Sequence, residues 1–205
     1  MIKPTLHHVN LKTTRLQEMI DWYCVVVGAT VNLQSNNIAF ISNDRTHHRI
    51  ALFSAPGLRD DPEKFVHTGI HHTAFEYDSF DDLMCSFARL KQTGIEPETC
   101  LNHGVATSLY YSDPDQNMVE LQVDNFGNWD TSAEWMRTSE AFRQNPIRSI
   151  FRPRPRSYRL QGRCDVRAAA KGHVRRNISP FEAAKPTSTR QRRLRRSLTK
   201  KVMMA

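Results

Sequence analysis

The chain has 205 residues, 39% hydrophobic and 24% charged, with a formal net charge of +8. The charge is unevenly placed: residues 1–146 hold 11 Lys+Arg against 19 Asp+Glu, net −8, whereas residues 147–205 hold 18 against 2, net +16. No stretch approaches the ~18 apolar residues of a membrane span and Met1-Ile2-Lys3-Pro4 opens no secretory apolar core, so a helical membrane protein is excluded and a cytoplasmic location is expected.

In chain order, Leu6-His7-His8-Val9 opens a first strand, and Leu16, Met19, Ile20, Tyr23 and Val27 then recur at helical spacing until Gly28 stops them. Short apolar runs at residues 30–33, 38–41 and 50–53, separated by Asn36-Asn37 and Asn43-Asp44, predict three more strands. The first module, 5–55, therefore reads βαβββ. After a crossover rich in proline and charge, Ile70-His71-His72-Thr73 starts a second module, 68–125, in the same order. Ser79 is placed as a helix cap, Leu83, Phe87 and Leu90 form the apolar stripe, and Gly94 closes it. Strands are expected over 95–99, 107–111 and 118–123, then a closing helix over 131–143. His8 and His72, Leu16 and Phe80, and Met19 and Leu83 share an offset of 64 residues, which argues for internal duplication.

Two histidines at duplicated positions, with Glu120 on the last strand of the second module, make a ligand set for a metal-dependent enzyme, with Fe(II) the leading cation. Strand alternation supports it. In Val119-Glu120-Leu121-Gln122-Val123 the apolar residues would pack on a helix, so Glu120 faces the other way, as His8 does beside Val9 and Leu11. Taken singly, a strand histidine is more often a surface or hydrogen-bonded residue, and Asp113-Pro114-Asp115-Gln116-Asn117 is a turn. The case rests on their combination.

The residues His8-Val9-Asn10-Leu11, Trp22-Tyr23, Val27-Gly28, His72 with Glu76, and Asp113 to Asn117 with Glu120 resemble the vicinal oxygen chelate superfamily. Within it the chain is similar to small single-domain extradiol dioxygenases of the 2,3-dihydroxybiphenyl type, over about residues 5–146. The resemblance implies an α+β fold in which two βαβββ modules form a curled mixed sheet around a metal site. It implies that His8, His72 and Glu120 hold Fe(II), with Mn(II) as the alternative, and leave a face open for a small aromatic diol and O2. By the same likeness His48 takes the acid–base role, and Tyr110 and His103 stand near the substrate. His103 fits only with a two-residue gap in its loop.

Other chemistries of the superfamily remain open. A glyoxalase-like isomerase takes a fourth ligand from the last strand of the first module, yet residues 46–58 contain no Asp or Glu. A Mn(II) thiol transferase for antibiotic resistance would use the same two His and one Glu. Cys24, Cys85, Cys100 and Cys164 lie far apart without a CxxC pair, which argues for a reducing compartment. A homo-oligomer is expected. The segment 147–205, basic and poor in aromatics, is expected to be disordered and appended, with no catalytic part; it lacks the stacking aromatics of nucleic-acid recognition.

Overall fold

The computed structural model describes residues 1–147 and 149–153. Its first four strands are β1 (Val9–Lys12), β2 (Thr30–Gln34), β3 (Ile38–Ser42) and β4 (Ile50–Phe53), with helix α1 (Leu16–Val26) after β1. They form one sheet in the order β1-β4-β3-β2. β1 runs parallel to β4, with Val9 opposite Ile50, and the other pairs are antiparallel. The second repeat supplies β5 (His72–Glu76), α2 (Phe80–Gln92), β6 (Thr99–Asn102), β7 (Ala106–Ser112) and β8 (Met118–Asp124). A two-residue strand, β9 (Ser149–Ile150), joins them in the order β5-β8-β7-β6-β9. The α+β class and the duplicated βαβββ order are as the sequence reads, with the strands sorted into two sheets.

The chain divides into two compact units that cut across the duplication. The first contains Met1–Phe75 and Tyr110–Leu121; the second contains Glu76–Leu109 and the chain from Gln122 onward. In the first, α1 lies against β3 and β4 and buries Met19, Ile20, Tyr23 and Val26, while Ile41, Ile50 and Leu52 are inaccessible on the strands. Each such side chain contributes about 1.5–3 kcal/mol by leaving water. The helix starts without a side-chain cap at Arg15; instead the buried Thr13 hydroxyl accepts the Arg15 N–H at 2.8 Å. Gly28 ends it at φ +69°, and a Cβ there would meet nothing within 4 Å. The whole cost of Gly28→Ala is thus backbone strain: a loss of about 1–2 kcal/mol is expected in urea unfolding, with catalysis unchanged.

In the second unit, Ser79 caps α2 by accepting the Asp82 N–H at 3.2 Å, and Leu83, Met84, Phe87 and Leu90 are buried. Three expectations need correction here. The strand placed over 95–99 begins only at Thr99, because Pro97 has no N–H to give a ladder. The single closing helix is two, α3 (Trp129–Thr138) and α4 (Glu140–Gln144), divided at Ser139, whose hydroxyl accepts the Phe142 N–H at 3.2 Å. Regular structure also passes the expected boundary at residue 146, since Leu101 pairs with Ile150 and Asn102 with Ser149. The rest of the basic segment, from Arg154, lies outside the described residues. Cys24 and Cys100 are free thiols, and burial pushes the Cys100 thiol up to about 12. Cys85 is disulfide-bonded, against the expectation of reduced cysteines. Among the described residues no helix is long and apolar enough to cross a membrane.

Candidate metal centre

Glu120 sits in the middle of β8, where Val119, Leu121 and Val123 are buried on alternate positions. Alternation turns its carboxylate to the opposite face, but that face is not open to water: Glu120 is only 5% exposed. A buried carboxylate requires partners, and both of its oxygens have one. The Tyr110 hydroxyl, on β7, donates to Oε1 at 2.8 Å. The His72 Nε2, at the first residue of β5, lies 3.0 Å from Oε2. The His72 and Tyr110 rings meet edge to face at 5.6 Å. His71 Nδ1 lies 2.8 Å from His72 Nδ1, which leaves Nε2 of His72 as the nitrogen turned to the carboxylate.

This donor pair fits a transition cation. Two ligand atoms bound at about 2.1 Å and at right angles lie about 3 Å apart, which is the separation of His72 Nε2 and Glu120 Oε2. Imidazole nitrogen with carboxylate oxygen is also the donor chemistry of facial iron and manganese sites. Tyr110 holds the carboxylate through the oxygen that His72 does not face, as an outer partner of a ligand does.

The third expected ligand is placed differently. His8 precedes β1, is exposed, and has Nδ1 3.0 Å from His7 Nδ1 and its ring 4.3 Å from that of His48. Among the described residues, the three metal-ligating side chains whose atoms gather within 4.8 Å of one another are His7, His8 and His48, and not His8, His72 and Glu120. His48 is nearly buried, stacked on Phe40 at 4.7 Å. Burial first, then the neighbouring His8, His47 and His7 rings, hold its imidazolium below the usual histidine range, so the neutral base is favoured. His103 belongs to the second unit, where its Nδ1 lies 3.2 Å from the Pro146 carbonyl.

Sequence reasoning missed the support beneath the turn between β7 and β8. The buried Asp113 accepts the Asn117 N–H at 2.8 Å, the Asn117 Nδ2 at 2.7 Å and the Tyr23 hydroxyl at 3.1 Å. Arg15 pairs with Asp115 at 2.6 Å and with Asp60, while Lys64 bonds the Asp115 carbonyl at 3.2 Å. Gln116 takes φ +65° at the apex. The signal was present in the Asp-Pro-Asp-Gln-Asn string, which reads as a turn but does not say which helix residue anchors it.

Comparison with known proteins places these residues in a family. A family model described as the Glyoxalase/Bleomycin resistance protein/Dioxygenase superfamily matches residues 5–121, a span that contains His8, His48, His72, Tyr110 and Glu120. Biphenyl-2,3-diol 1,2-dioxygenase 2 of Rhodococcus globerulus is 43% identical over 150 residues, covering 73% of this chain and 78% of that protein. Biphenyl-2,3-diol 1,2-dioxygenase 3 of the same organism is 42% identical over 153 residues, 74% of this chain and 80% of that one. A glyoxylase/bleomycin resistance protein/dioxygenase domain from Frankia sp. EAN1pec superposes with a TM-score of 0.51 at 19% identity, covering 60% of this chain and 100% of that domain, a likeness of fold alone.

Proposed function

The chain belongs to the Glyoxalase/Bleomycin resistance protein/Dioxygenase superfamily, and from that membership we propose that it is an extradiol dioxygenase opening the ring of a catechol-type diol with O2, using Fe(II) held by His8, His72 and Glu120. The supporting observation is the buried Glu120 carboxylate, held between His72 Nε2 and the Tyr110 hydroxyl, in a chain more than 40% identical to two biphenyl-2,3-diol dioxygenases.

A divalent iron held by these residues would supply a Lewis acid for the reaction of the diol with O2. The chain's own residues do the rest. Glu120 and His72 would hold the cation, and the Tyr110 hydroxyl restrains the carboxylate by donating to Oε1. His48, held neutral by burial and by its histidine neighbours, accepts a proton at an imidazole nitrogen and returns it as the product forms. His103 is assigned a place near the substrate on the family likeness. The same donors accept Mn(II), and cellular supply then decides the metal. We place the protein in the cytoplasm, where iron stays ferrous, as a homo-oligomer.

The test is direct. Load the protein with Fe(II) without oxygen, add 2,3-dihydroxybiphenyl, admit air, and follow the yellow ring-opened product together with oxygen uptake. Neither signal across a panel of catechols, with iron shown to be bound, would refute the dioxygenase reading. In the same assay Tyr110→Phe is expected to retain its fold and lose about 10–100-fold in turnover or iron affinity, the usual cost of removing an outer partner of a ligand.

A further inference from the structure

Two His-His dipeptides, 40 residues apart in sequence, meet because of one feature of strand register. β1 and β4 pair in parallel from Val9 opposite Ile50, and the Val9 N–H donates to the Arg49 carbonyl at 3.0 Å. His7-His8 immediately precedes β1 and His47-His48 precedes β4 with only Arg49 between, so the register that aligns the strands also brings His7 and His8 beside His47 and His48. The His7 ring lies 4.7 Å from His47 and 5.3 Å from His48, and His8 lies 4.3 Å from His48. The backbone is tied down on both sides: Arg49 Nη1 donates to the His7 carbonyl at 2.9 Å, its Nε pairs with Asp44 at 2.8 Å, and Asn32 Nδ2 donates to the His47 carbonyl at 2.9 Å.

Within this cluster the ring nitrogens of His7, His8 and His48 lie within 4.8 Å of one another. Around a tetrahedral ion with bonds of about 2.0–2.1 Å, such nitrogens stand about 3.3–3.4 Å apart. The rings therefore need to close by no more than about 1.5 Å. His7 and His8 are exposed side chains in contact with each other, with Nδ1 atoms 3.0 Å apart, while Phe40 stacks on the buried His48 ring. An all-imidazole set without a carboxylate favours borderline cations such as Zn(II), Cu(II) or Ni(II).

We propose that His7, His8 and His48 form a second, inhibitory site for a borderline divalent cation, distinct from the His72–Glu120 pair. Occupying it withdraws His8 from the iron and His48 from proton transfer; this inhibitory consequence rests on the roles proposed above for those two residues, whereas binding at the three histidines does not. The probe is Zn(II), added to the iron-loaded protein and to its His7→Gln variant, with retained zinc, retained iron and ring-cleavage turnover measured together. In the wild type one zinc is expected to bind per chain, with iron and turnover falling as it does. His7→Gln is expected to keep its turnover in the absence of zinc and to need at least about tenfold more zinc for half-inhibition. Equal zinc affinity in the two proteins overturns the site. Zinc bound in a His7-dependent way with turnover intact overturns the inhibitory link. If the protein cleaves no catechol at all, loss of zinc affinity in His7→Gln still supports the site, and the failure then belongs to the dioxygenase reading.

Discussion

Glu120→Ala is expected to purify with little iron and to lose about 10³-fold or more in kcat/KM for ring cleavage, because a Lewis acid at the reacting centre is worth several kcal/mol and each 1.36 kcal/mol is tenfold. The variant also leaves the Tyr110 hydroxyl and His72 Nε2 without the oxygens they face, so its fold is checked by circular dichroism. Glu120→Gln separates charge from shape: the amide oxygen can still accept from Tyr110, but the negative charge that a divalent cation needs is gone. It is expected to resemble Glu120→Ala in iron content and the wild type in stability. Full iron content in Glu120→Gln would contradict the ligand assignment.

The second large effect is expected far from any ligand. Asp113→Ala leaves the Asn117 N–H, the Asn117 amide and the Tyr23 hydroxyl without their acceptor in a buried setting, at about 1–3 kcal/mol for each group left unsatisfied. A total loss of at least about 3 kcal/mol is expected in urea unfolding. This turn launches β8 and hence Glu120, so iron affinity should fall along with stability. The pH dependence has a definite sign. Burial, as the largest cause, pushes the pKa of Asp113 above the ordinary carboxylate value, opposed by its hydrogen bonds from Asn117 and Tyr23. A raised carboxyl favours the protonated form in the folded state, so the stability it contributes is present below the ordinary value and is lost as pH rises through its folded one. Asp60, held low chiefly by Arg15, acts in the opposite sense: its contribution is present above about pH 4 and lost as pH falls. Asp113→Asn, which cannot ionise, is expected to show a flatter urea midpoint on the rising side while keeping the acid-side fall. An unchanged slope on the rising side would remove Asp113 as its source.

Much of the fold could be read from residues because local and periodic signals agreed. Gly28 and Gly94 close their helices with positive φ, Ser79 caps α2, and the alternation around Glu120 does set its carboxylate apart from Val119 and Leu121. Where reading failed, the deciding force was absent from the pattern or outweighed by it. Pro97 shifted β6 to Thr99, and Ser139 broke the closing helix by capping its second half. The β9 strand is only two residues long and carries no alternation to detect. At the site, the meeting of His72, Glu120 and Tyr110 follows from matched positions on neighbouring strands. The gathering of His7 and His47 beside His8 and His48 depends on the parallel register of β1 and β4, which no dipeptide reveals. The sequence also assigned His8 to the iron without showing that its ring has nearer company in His7 and His48.

Where His8 goes when iron binds is therefore the measurement that matters most. Crystals grown anaerobically with Fe(II), with diffraction recorded on both sides of the iron absorption edge, locate the ion without assumption. One iron per chain, with nitrogens of His8 and His72 and an oxygen of Glu120 each at about 2.0–2.2 Å, is the predicted result. Iron seated on His7, His8 and His48, with His72 and Glu120 still bonded only to each other, would contradict the account.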